Sequence, residues 1–215
     1  DLDVQLDGLI VASPSNPTGS MLTAEALEEI VQWCDATGVR LISDEIYHGI
    51  TYGRKASTAL AYGDNAIIIN SFSKYFSMTG WRLGWMIVPE NLIRAAECLA
   101  QNIFISPPTL SQLATISVFD CFEELDANVA RYAENRALLL QELPKAGLDQ
   151  LAPSDGAFYV YADVTRFTND SQVFCQKVLA ETGVAITPGV DFDTERGSQF
   201  VRFSYAGATA DMAAA

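Results

Sequence analysis

The sequence is poor in histidine, in basic residues and in long apolar runs. His48 is its one histidine, and neither a Ser-His-Asp set nor a metal-ligand set can be assembled around it. Lysine and arginine total 13 against 27 acidic residues, which gives a formal net charge of −14 and argues against nucleic acid and anionic membranes as partners. No apolar run is long enough to span a bilayer, so we expect no membrane insertion. These absences indicate an acidic globular protein without a metal site.

Cysteines are few and scattered. Cys34, Cys98, Cys121 and Cys175 show no metal-ligand spacing, so we expect reduced thiols in a cytoplasmic protein. Hydrophobic residues make up 49% of the chain and charged residues 19%, which predicts a packed core. The chain opens at Asp1 without an initiator methionine and closes in an alanine-rich stretch. We therefore expect it to be a segment of a longer protein.

The first part of the sequence contains four short apolar runs that predict β-strands. They are residues 9–12, 39–43, 66–70 and 83–88. Helix-length segments separate strands of this kind in α/β proteins, so we expect parallel pairing in one sheet. The third run, centred on Ile67-Ile68-Ile69, is typical of a strand that is covered on both faces.

After Pro89 the pattern changes to that of a smaller α+β unit. The predicted helices are residues 91–101, 109–122, 126–143 and 170–182, and the predicted strands are residues 157–162, 184–187 and 200–205. Ser106-Pro107-Pro108 interrupts the helices and marks a domain boundary. We therefore predict one domain over residues 1–105 and a second over residues 106–215.

Polar residues follow the first three predicted strands where each strand ends. They are Asn16 after the first strand, Asp44 and Tyr47 after the second, and Ser71, Ser73 and Lys74 after the third, with Arg82 a few residues on. Ligands of open parallel sheets bind beyond the carboxyl ends of the strands, so we expect these groups to surround one small site. Burial lowers the pKa of a lysine and frees its neutral amine for Schiff-base chemistry. The set suits a cofactor with a phosphate, a phenolic oxygen, a ring nitrogen and an aldehyde, which describes pyridoxal phosphate.

Every one of these residues also has an ordinary structural interpretation. The alternatives are a solvated surface cation for Lys74 and Arg82, a turn residue for Asn16, a core ring for Tyr47, a strand-end acid pair for Asp44 and Glu45, an internal ion pair for Arg202 and a structural role for His48. The spacing Ser71-x-x-Lys74 also matches the serine β-lactamase signature, but neither an SDN nor a KTG element follows it.

Several motifs occur together in one order and resemble those of a known family. They are Ser15-Asn16-Pro17-Thr18-Gly19, Asp44-Glu45-Ile46-Tyr47, Ser71-Phe72-Ser73-Lys74, Gly80-Trp81-Arg82-Leu83-Gly84, Gly156-Ala157-Phe158-Tyr159, Pro188-Gly189 and Val201-Arg202-Phe203-Ser204. In order and spacing the chain resembles the fold type I, class I/II aminotransferases of the aspartate aminotransferase superfamily. The resemblance implies part of the mostly parallel sheet of a pyridoxal-phosphate (PLP) large domain, plus a smaller α+β C-terminal domain. It also implies that the N-terminal part of the large domain is absent and that the protein forms a homodimer.

The resemblance implies a role for each site residue. Lys74 would form the Schiff base with the cofactor and shuttle a proton, and Asp44 would pair with the pyridine nitrogen. The other implied roles are contacts of Tyr47 and Asn16 with the ring oxygen, of Ser71, Ser73 and Arg82 with the phosphate, and of Arg202 and Asn16 with the substrate. The resemblance also implies cis peptide bonds at Ser13-Pro14 and Asn16-Pro17.

The resulting functional prediction is a PLP-dependent aminotransferase that moves an amino group between an amino acid and a 2-oxo acid. A PLP-dependent C–S lyase would use the same lysine and the same ring partners. An aminotransferase-like sensor domain of a transcription regulator would keep the fold, and a degenerate fragment would have no function. We expect these 215 residues alone to bind the cofactor poorly, because further phosphate contacts would come from the preceding segment.

Overall fold

A computed structural model describes residues 6–215 of the chain, which form two compact units. The first unit comprises residues 6–14, 21–49 and 55–126, and the second comprises residues 15–20, 50–54 and 127–215. Both Ser13-Pro14, at the end of the first segment, and Asn16-Pro17, in the second unit, have cis peptide bonds, which confirms the expectation from the sequence.

The first unit is built on a four-stranded sheet in the order β1-β2-β3-β4. Its strands are β1 (Gly8–Ala12), β2 (Arg40–Asp44), β3 (Ile67–Ser71) and β4 (Gly84–Ile87). The predicted parallel pairing is confirmed for β1 with β2 and for β2 with β3, but it is wrong for β4, which runs antiparallel to β3. The reason is the short connection over residues 72–83, which contains a single 3-10 turn and no crossover helix that could return the chain for a parallel strand.

Three complete α-helices belong to this unit. They are α1 (Ala24–Thr37), α2 (Glu90–Ile103) and α3 (Thr109–Val118). Helix α1 begins where Thr23 Oγ1 accepts a hydrogen bond from Ala26 N, and it ends at Gly38. Its apolar side packs against one face of the sheet, where Leu27 and Val31 meet the strand residues Leu41 and Ile68. The hydrophobic core of the unit therefore lies between α1 and this face of the sheet.

The opposite face of the sheet is only partly covered. Ile68 is buried, whereas Ile67 and Ile69 on the other face of β3 are half-buried. Among the described residues, the expected burial of this strand on both faces therefore holds for one face. Ile10 and Met86 also remain exposed, at 71% and 48%. An apolar groove of about 360 Å³, here called the α2 groove, adjoins this face. Its lining includes Ile67, Met86, Leu92, Leu99, Ile103 and Phe104.

A second apolar cluster in this unit supports the connection between β3 and β4. Phe72 and Met78 from the connection pack with Val118 of α3 and with Leu125. Phe72 also contacts the Trp85 ring, with the ring centroids 4.7 Å apart. The connection that carries Lys74 is therefore anchored on both sides of the lysine.

The second unit contains a small antiparallel sheet in the order β5-β7-β6. Its elements are β5 (Tyr159–Asp163), α5 (Ser171–Thr182), β6 (Thr187–Pro188), β7 (Phe200–Ser204), α6 (Thr209–Ala214) and most of α4 (Phe122–Glu142). Val160, Val201 and Tyr205 are fully buried. The side chain of Asn135 in α4, also fully buried, donates hydrogen bonds to the carbonyls of Tyr205 at 2.9 Å and Gly207 at 3.0 Å. These bonds fix α4 to the chain that leaves β7.

Two buried glycines of this unit lie with their backbones in direct contact. A Cβ atom added at Gly189 would lie 2.5 Å from the Gly197 carbonyl oxygen, and one added at Gly197 would lie 2.3 Å from the Gly189 carbonyl oxygen. The segment before β7 is therefore packed backbone to backbone with the segment after β6.

Two general expectations can be compared with the residues that the structure describes. Cys34, Cys98, Cys121 and Cys175 are all free thiols, and no group of metal-ligating side chains occurs over residues 6–215. Within the same range, every helix is too short or too polar to cross a bilayer.

Candidate active site

The connection after β3 places Lys74 by a set of short hydrogen bonds. Ser71 Oγ donates to the Leu83 carbonyl at 3.2 Å and accepts a bond from Ser73 N at 3.0 Å. Beyond the lysine, Ser77 N donates to the Lys74 carbonyl at 3.0 Å and turns the chain back. The lysine thus sits on a fixed backbone directly beyond a sheet strand.

The structure brings the side chains of Lys74 and Tyr47 together. Lys74 Nζ lies 5.5 Å from the centroid of the Tyr47 ring, and Tyr47 is only 3% exposed. Tyr47 follows β2 and Lys74 follows the neighbouring strand β3, as predicted from the ends of adjacent parallel strands. An amine and a phenol from two strands therefore share one site in the first unit.

Asp44 ends β2 beside this pair of strands. Asp44 lies opposite Ile69 in the β2–β3 register, and Ile69 stands two residues before Ser71. Its Oδ1 atom accepts a hydrogen bond from Ile46 N at 3.1 Å, and among the described residues no hydrogen-bond donor contacts Oδ2. The half-buried carboxylate thus keeps an acceptor for a protonated ring nitrogen.

Glu45 and His48 form a separate structural network. The buried Glu45 carboxylate accepts hydrogen bonds from Ser43 Oγ at 3.0 Å, Thr58 Oγ1 at 3.1 Å and Ala59 N at 2.9 Å. The His48 ring faces Glu45 Oε2 at 3.4 Å and the Ser13 carbonyl at 3.1 Å. These contacts support the structural interpretation of His48 and distinguish Glu45 from Asp44.

The residues predicted to hold a phosphate are linked through Thr79. Arg82 Nη1 donates to the Thr79 carbonyl at 3.0 Å, and Thr79 Oγ1 donates to the Ser73 carbonyl at 2.6 Å. Arg82 is exposed, and the Ser71 hydroxyl lies at the start of the same connection. Two hydroxyls and a guanidinium thus belong to one hydrogen-bonded segment, and within residues 6–215 only Nη1 of Arg82 donates a hydrogen bond.

The second unit carries the other predicted group, Asn16 with Arg202. Arg202 Nη1 donates to Asn16 Oδ1 at 2.7 Å, and Nη2 donates to Thr187 Oγ1 at 3.3 Å. Its guanidinium carbon lies 4.3 Å from the Tyr159 ring centroid and 4.7 Å from the Phe192 ring centroid. Two aromatic rings and two neutral oxygens therefore orient the cation.

The ion-pair interpretation of Arg202 is not supported by its surroundings. Over residues 6–215 no carboxylate forms a salt bridge with Arg202, and its buried Nε atom has no hydrogen-bond partner. A half-buried cation without a counter-ion among the described residues favours an anionic ligand. A carboxylate that accepts a fork of two N–H groups fits this chemistry.

Three residues around Arg202 were not assigned roles from the sequence. They are Tyr159, Thr187 and Phe192. Thr187 pairs directly with Arg202 across β6 and β7, so knowledge of the strand register would have identified it. Tyr159 stands two residues before Tyr161, the residue opposite Arg202 in β5, and thus on the same face. Phe192 comes from a loop and has no comparable signal in the sequence.

Comparison with known proteins identifies the family. The family described as "Aminotransferase class I and II" matches residues 2–215. The chain belongs to this family. Aminotransferases of class I and II depend on pyridoxal phosphate, and the predicted recognition, fold class and cofactor are confirmed at the level of the family.

Similar aminotransferases are known from bacteria and archaea. The chain is 56% identical to a valine–pyruvate aminotransferase of Mycobacterium tuberculosis over 99% of this chain and 56% of the relative. It is 36% identical to a (5-formylfuran-3-yl)methyl phosphate transaminase of Methanocaldococcus jannaschii over 92% of this chain and 52% of the relative. A crystal structure of an aminotransferase from Mycobacterium tuberculosis superposes with a TM-score of 0.96 at 56% identity, over 99% of this chain and 56% of that one. The chain thus spans about half the length of the curated relatives it matches.

The residues of the first unit fit the cofactor of the family. An amine in contact with a buried phenol, a carboxylate with an available oxygen, and a serine–arginine segment correspond to the aldehyde, the ring nitrogen and the phosphate of pyridoxal phosphate. The individual roles of Lys74, Asp44, Tyr47 and the phosphate-binding residues stay predictions.

Proposed function

We propose that the whole protein is a PLP-dependent aminotransferase that moves an amino group between an amino acid and a 2-oxo acid. The observation that carries the proposal is the pairing of Lys74 with Tyr47 at the ends of two parallel strands, beside Asp44. Membership of the class I and II family supports it. The cofactor, when bound, supplies an electron sink for the substrate carbanion.

The residues of this chain have distinct tasks in the proposal. Lys74 would hold the cofactor and would move a proton, which requires a neutral amine close to the reacting carbon. Asp44 would keep the ring nitrogen protonated, and Tyr47 would donate to the ring oxygen. Ser71, Ser73 and Arg82 hold the phosphate.

Recognition of the substrate is proposed to lie with Arg202. Its guanidinium binds the carboxylate common to amino acids and 2-oxo acids, while Asn16 orients the guanidinium. The 56% identical relative is named for valine and pyruvate, so we propose these two as the first substrate pair to assay. The transaminase names of both relatives favour amino transfer over a C–S lyase or a regulator domain.

Two further properties are proposed with the function. The free cysteines support a reducing compartment, so we place the enzyme in the cytoplasm. We also infer a homodimer from the family resemblance. Sedimentation of the full-length protein tests this, and a purely monomeric species at assay concentration would contradict it.

The decisive experiment locates the cofactor on the chain. Full-length protein is mixed with pyridoxal phosphate, reduced with borohydride, digested and analysed by mass spectrometry. The pyridoxyl group should be attached to Lys74, and valine plus pyruvate should yield alanine. Lys74→Ala should lose both results, while the control Lys145→Ala, at a side chain 59% exposed, should retain both. Equal labelling of the wild type and Lys74→Ala would remove Lys74 from its role.

A further inference from the structure

Tyr75, the residue after Lys74, connects three segments of the first unit. Its ring packs against the backbone of Gly49, and its hydroxyl donates to Asp126 Oδ1 at 2.6 Å. Gly49 stands two residues after Tyr47, and Asp126 lies in α4. The residue thus ties the segment that carries Lys74 to the segment that carries Tyr47.

The contact with Gly49 requires a residue without a side chain. A Cβ atom at position 49 would lie 2.7 Å from Tyr75 Cδ2 and 2.8 Å from Tyr75 Cγ, well inside van der Waals distance. Gly49 also has φ +91°, a conformation that other residues rarely adopt. The Tyr75 ring therefore packs directly against the Gly49 backbone, and a side chain at position 49 would push the two segments apart.

The Tyr75 ring and its hydroxyl have further partners. The Phe76 ring meets Tyr75 edge-on, with the centroids 5.1 Å apart. Burial, and next the hydrogen bond to Asp126, raise the pKa of Tyr75 to about 12, which keeps the hydroxyl protonated as the donor. Tyr75 consequently has a fixed orientation.

We propose that Tyr75 is a positioning residue for Lys74, which holds the lysine backbone at a set distance from the Tyr47 segment through its ring on Gly49 and its bond to Asp126. The inference rests on the proposed role of Lys74. A lysine side chain is long and flexible, so the position of its backbone decides how often Nζ reaches the cofactor. A misplacement of about 1 Å can lower a rate by about 100-fold.

The test uses full-length protein with pyridoxal phosphate and measures three quantities. They are the dissociation constant of the cofactor, the rate of borohydride capture on Lys74, and kcat and KM for valine. The variants are Tyr75→Leu, which removes the aromatic ring that packs on Gly49, Gly49→Ala, which displaces that ring, and Tyr75→Phe, which removes only the hydroxyl. Tyr62→Leu is the matched control, because this half-buried tyrosine packs on the α1 core of the same unit.

We expect Tyr75→Leu and Gly49→Ala to weaken cofactor binding and slow capture by about tenfold or more, with kcat reduced and KM for valine little changed. Tyr75→Phe should show a smaller effect of about threefold, because its ring remains on Gly49. Tyr62→Leu should lower the melting temperature while leaving cofactor binding and capture within about twofold, since that ring packs on the α1 core.

The outcomes separate this inference from the proposed function. If the wild type carries no label on Lys74, the proposed function fails and the inference fails with it. If the wild type is labelled and Tyr75→Leu behaves as Tyr62→Leu does, the inference alone is overturned. If Tyr75→Leu does not fold, Tyr75→Phe and Asp126→Ala decide, and capture at the wild-type rate in both variants would refute it.

Discussion

At Arg202, two rings and two neutral oxygens surround one guanidinium. A lysine in its place would keep the positive charge but lose the planar fork and most of the stacking. We predict that Arg202→Lys raises KM for valine about tenfold, because one lost charge-assisted hydrogen bond corresponds to about 1.5 kcal/mol. Steady-state kinetics of full-length protein measure this. Arg94→Lys, at a side chain 78% exposed in α2, is the control and should leave KM unchanged.

The raised pKa of Tyr75 predicts a pH dependence of stability. An unfolded tyrosine ionises near pH 10, whereas Tyr75 in the folded chain ionises near 12. Its contribution to the free energy of unfolding is therefore complete below pH 10 and is lost as the pH rises from about 10 to 12. Denaturant unfolding at pH 9 and pH 11.5 measures this. The free energy of unfolding should fall less between these pH values in Tyr75→Phe than in the wild type. Equal decreases in the free energy of unfolding in the two proteins would contradict the raised pKa of Tyr75.

The sequence predicted that Lys74, Asp44 and Tyr47 share one site, because each of them follows or ends a predicted strand. The structure places Lys74 Nζ 5.5 Å from the centroid of the Tyr47 ring, and the chemical roles of the three residues stay predictions. Phe192 and Tyr75 were not recognised. The Phe192 ring lies beside the Arg202 guanidinium and the Tyr75 ring packs against Gly49, and no local sequence pattern encodes such contacts.

At the scale of elements, strand positions were predicted within a few residues but strand direction was not always correct. Strand β4 was expected to be parallel because apolar runs alone do not state direction, and the short connection over residues 72–83 makes it antiparallel. The predicted strand over residues 184–187 proved shorter and later, as Thr187–Pro188, since only those residues find partners on β7.

The attachment of helix α4 to the end of β7 also permits a prediction. Asn135 supplies two buried N–H donors to backbone carbonyls, and Asn135→Asp would remove these donors while adding a charge. We predict a loss of about 3 kcal/mol in the free energy of unfolding. Chemical denaturation tests this, with Asn91→Asp on the exposed first turn of α2 as the control for added charge. A loss below 1 kcal/mol would mean that the two bonds contribute little.

At the scale of the whole molecule, net negative charge and exposed apolar surface act in opposite directions. The chain carries a net charge of −14, yet the surface beside the α2 groove exposes Leu99 at 62% and Ile103 at 74%. Large apolar patches of this kind promote association, and salt weakens the charge repulsion that opposes it. The sequence predicted the charge and the helix, but it did not predict which helix face stays uncovered, because that depends on tertiary packing.

We predict that the 215-residue chain produced alone binds an apolar fluorescent dye and self-associates increasingly between low and moderate salt. The double substitution Leu99→Glu and Ile103→Glu should reduce both signals severalfold. Light scattering and dye titration measure them. Lys177→Glu in α5 makes a charge change at an exposed site of the second unit and should have little effect. Unchanged dye binding in the double variant would show that the apolar surface lies elsewhere.

The contact between Gly189 and Gly197 has a consequence for anyone who diversifies this protein. In a saturation library screened for folding, both positions should return glycine almost alone, because even alanine would force two carbonyl groups apart. Neither residue has a positive φ, so the intolerance would come from crowding and not from backbone conformation. Engineers who wish to reshape the surroundings of Arg202 would therefore have to vary the side chains on Thr187 and Phe192 and leave the loop backbone as it is.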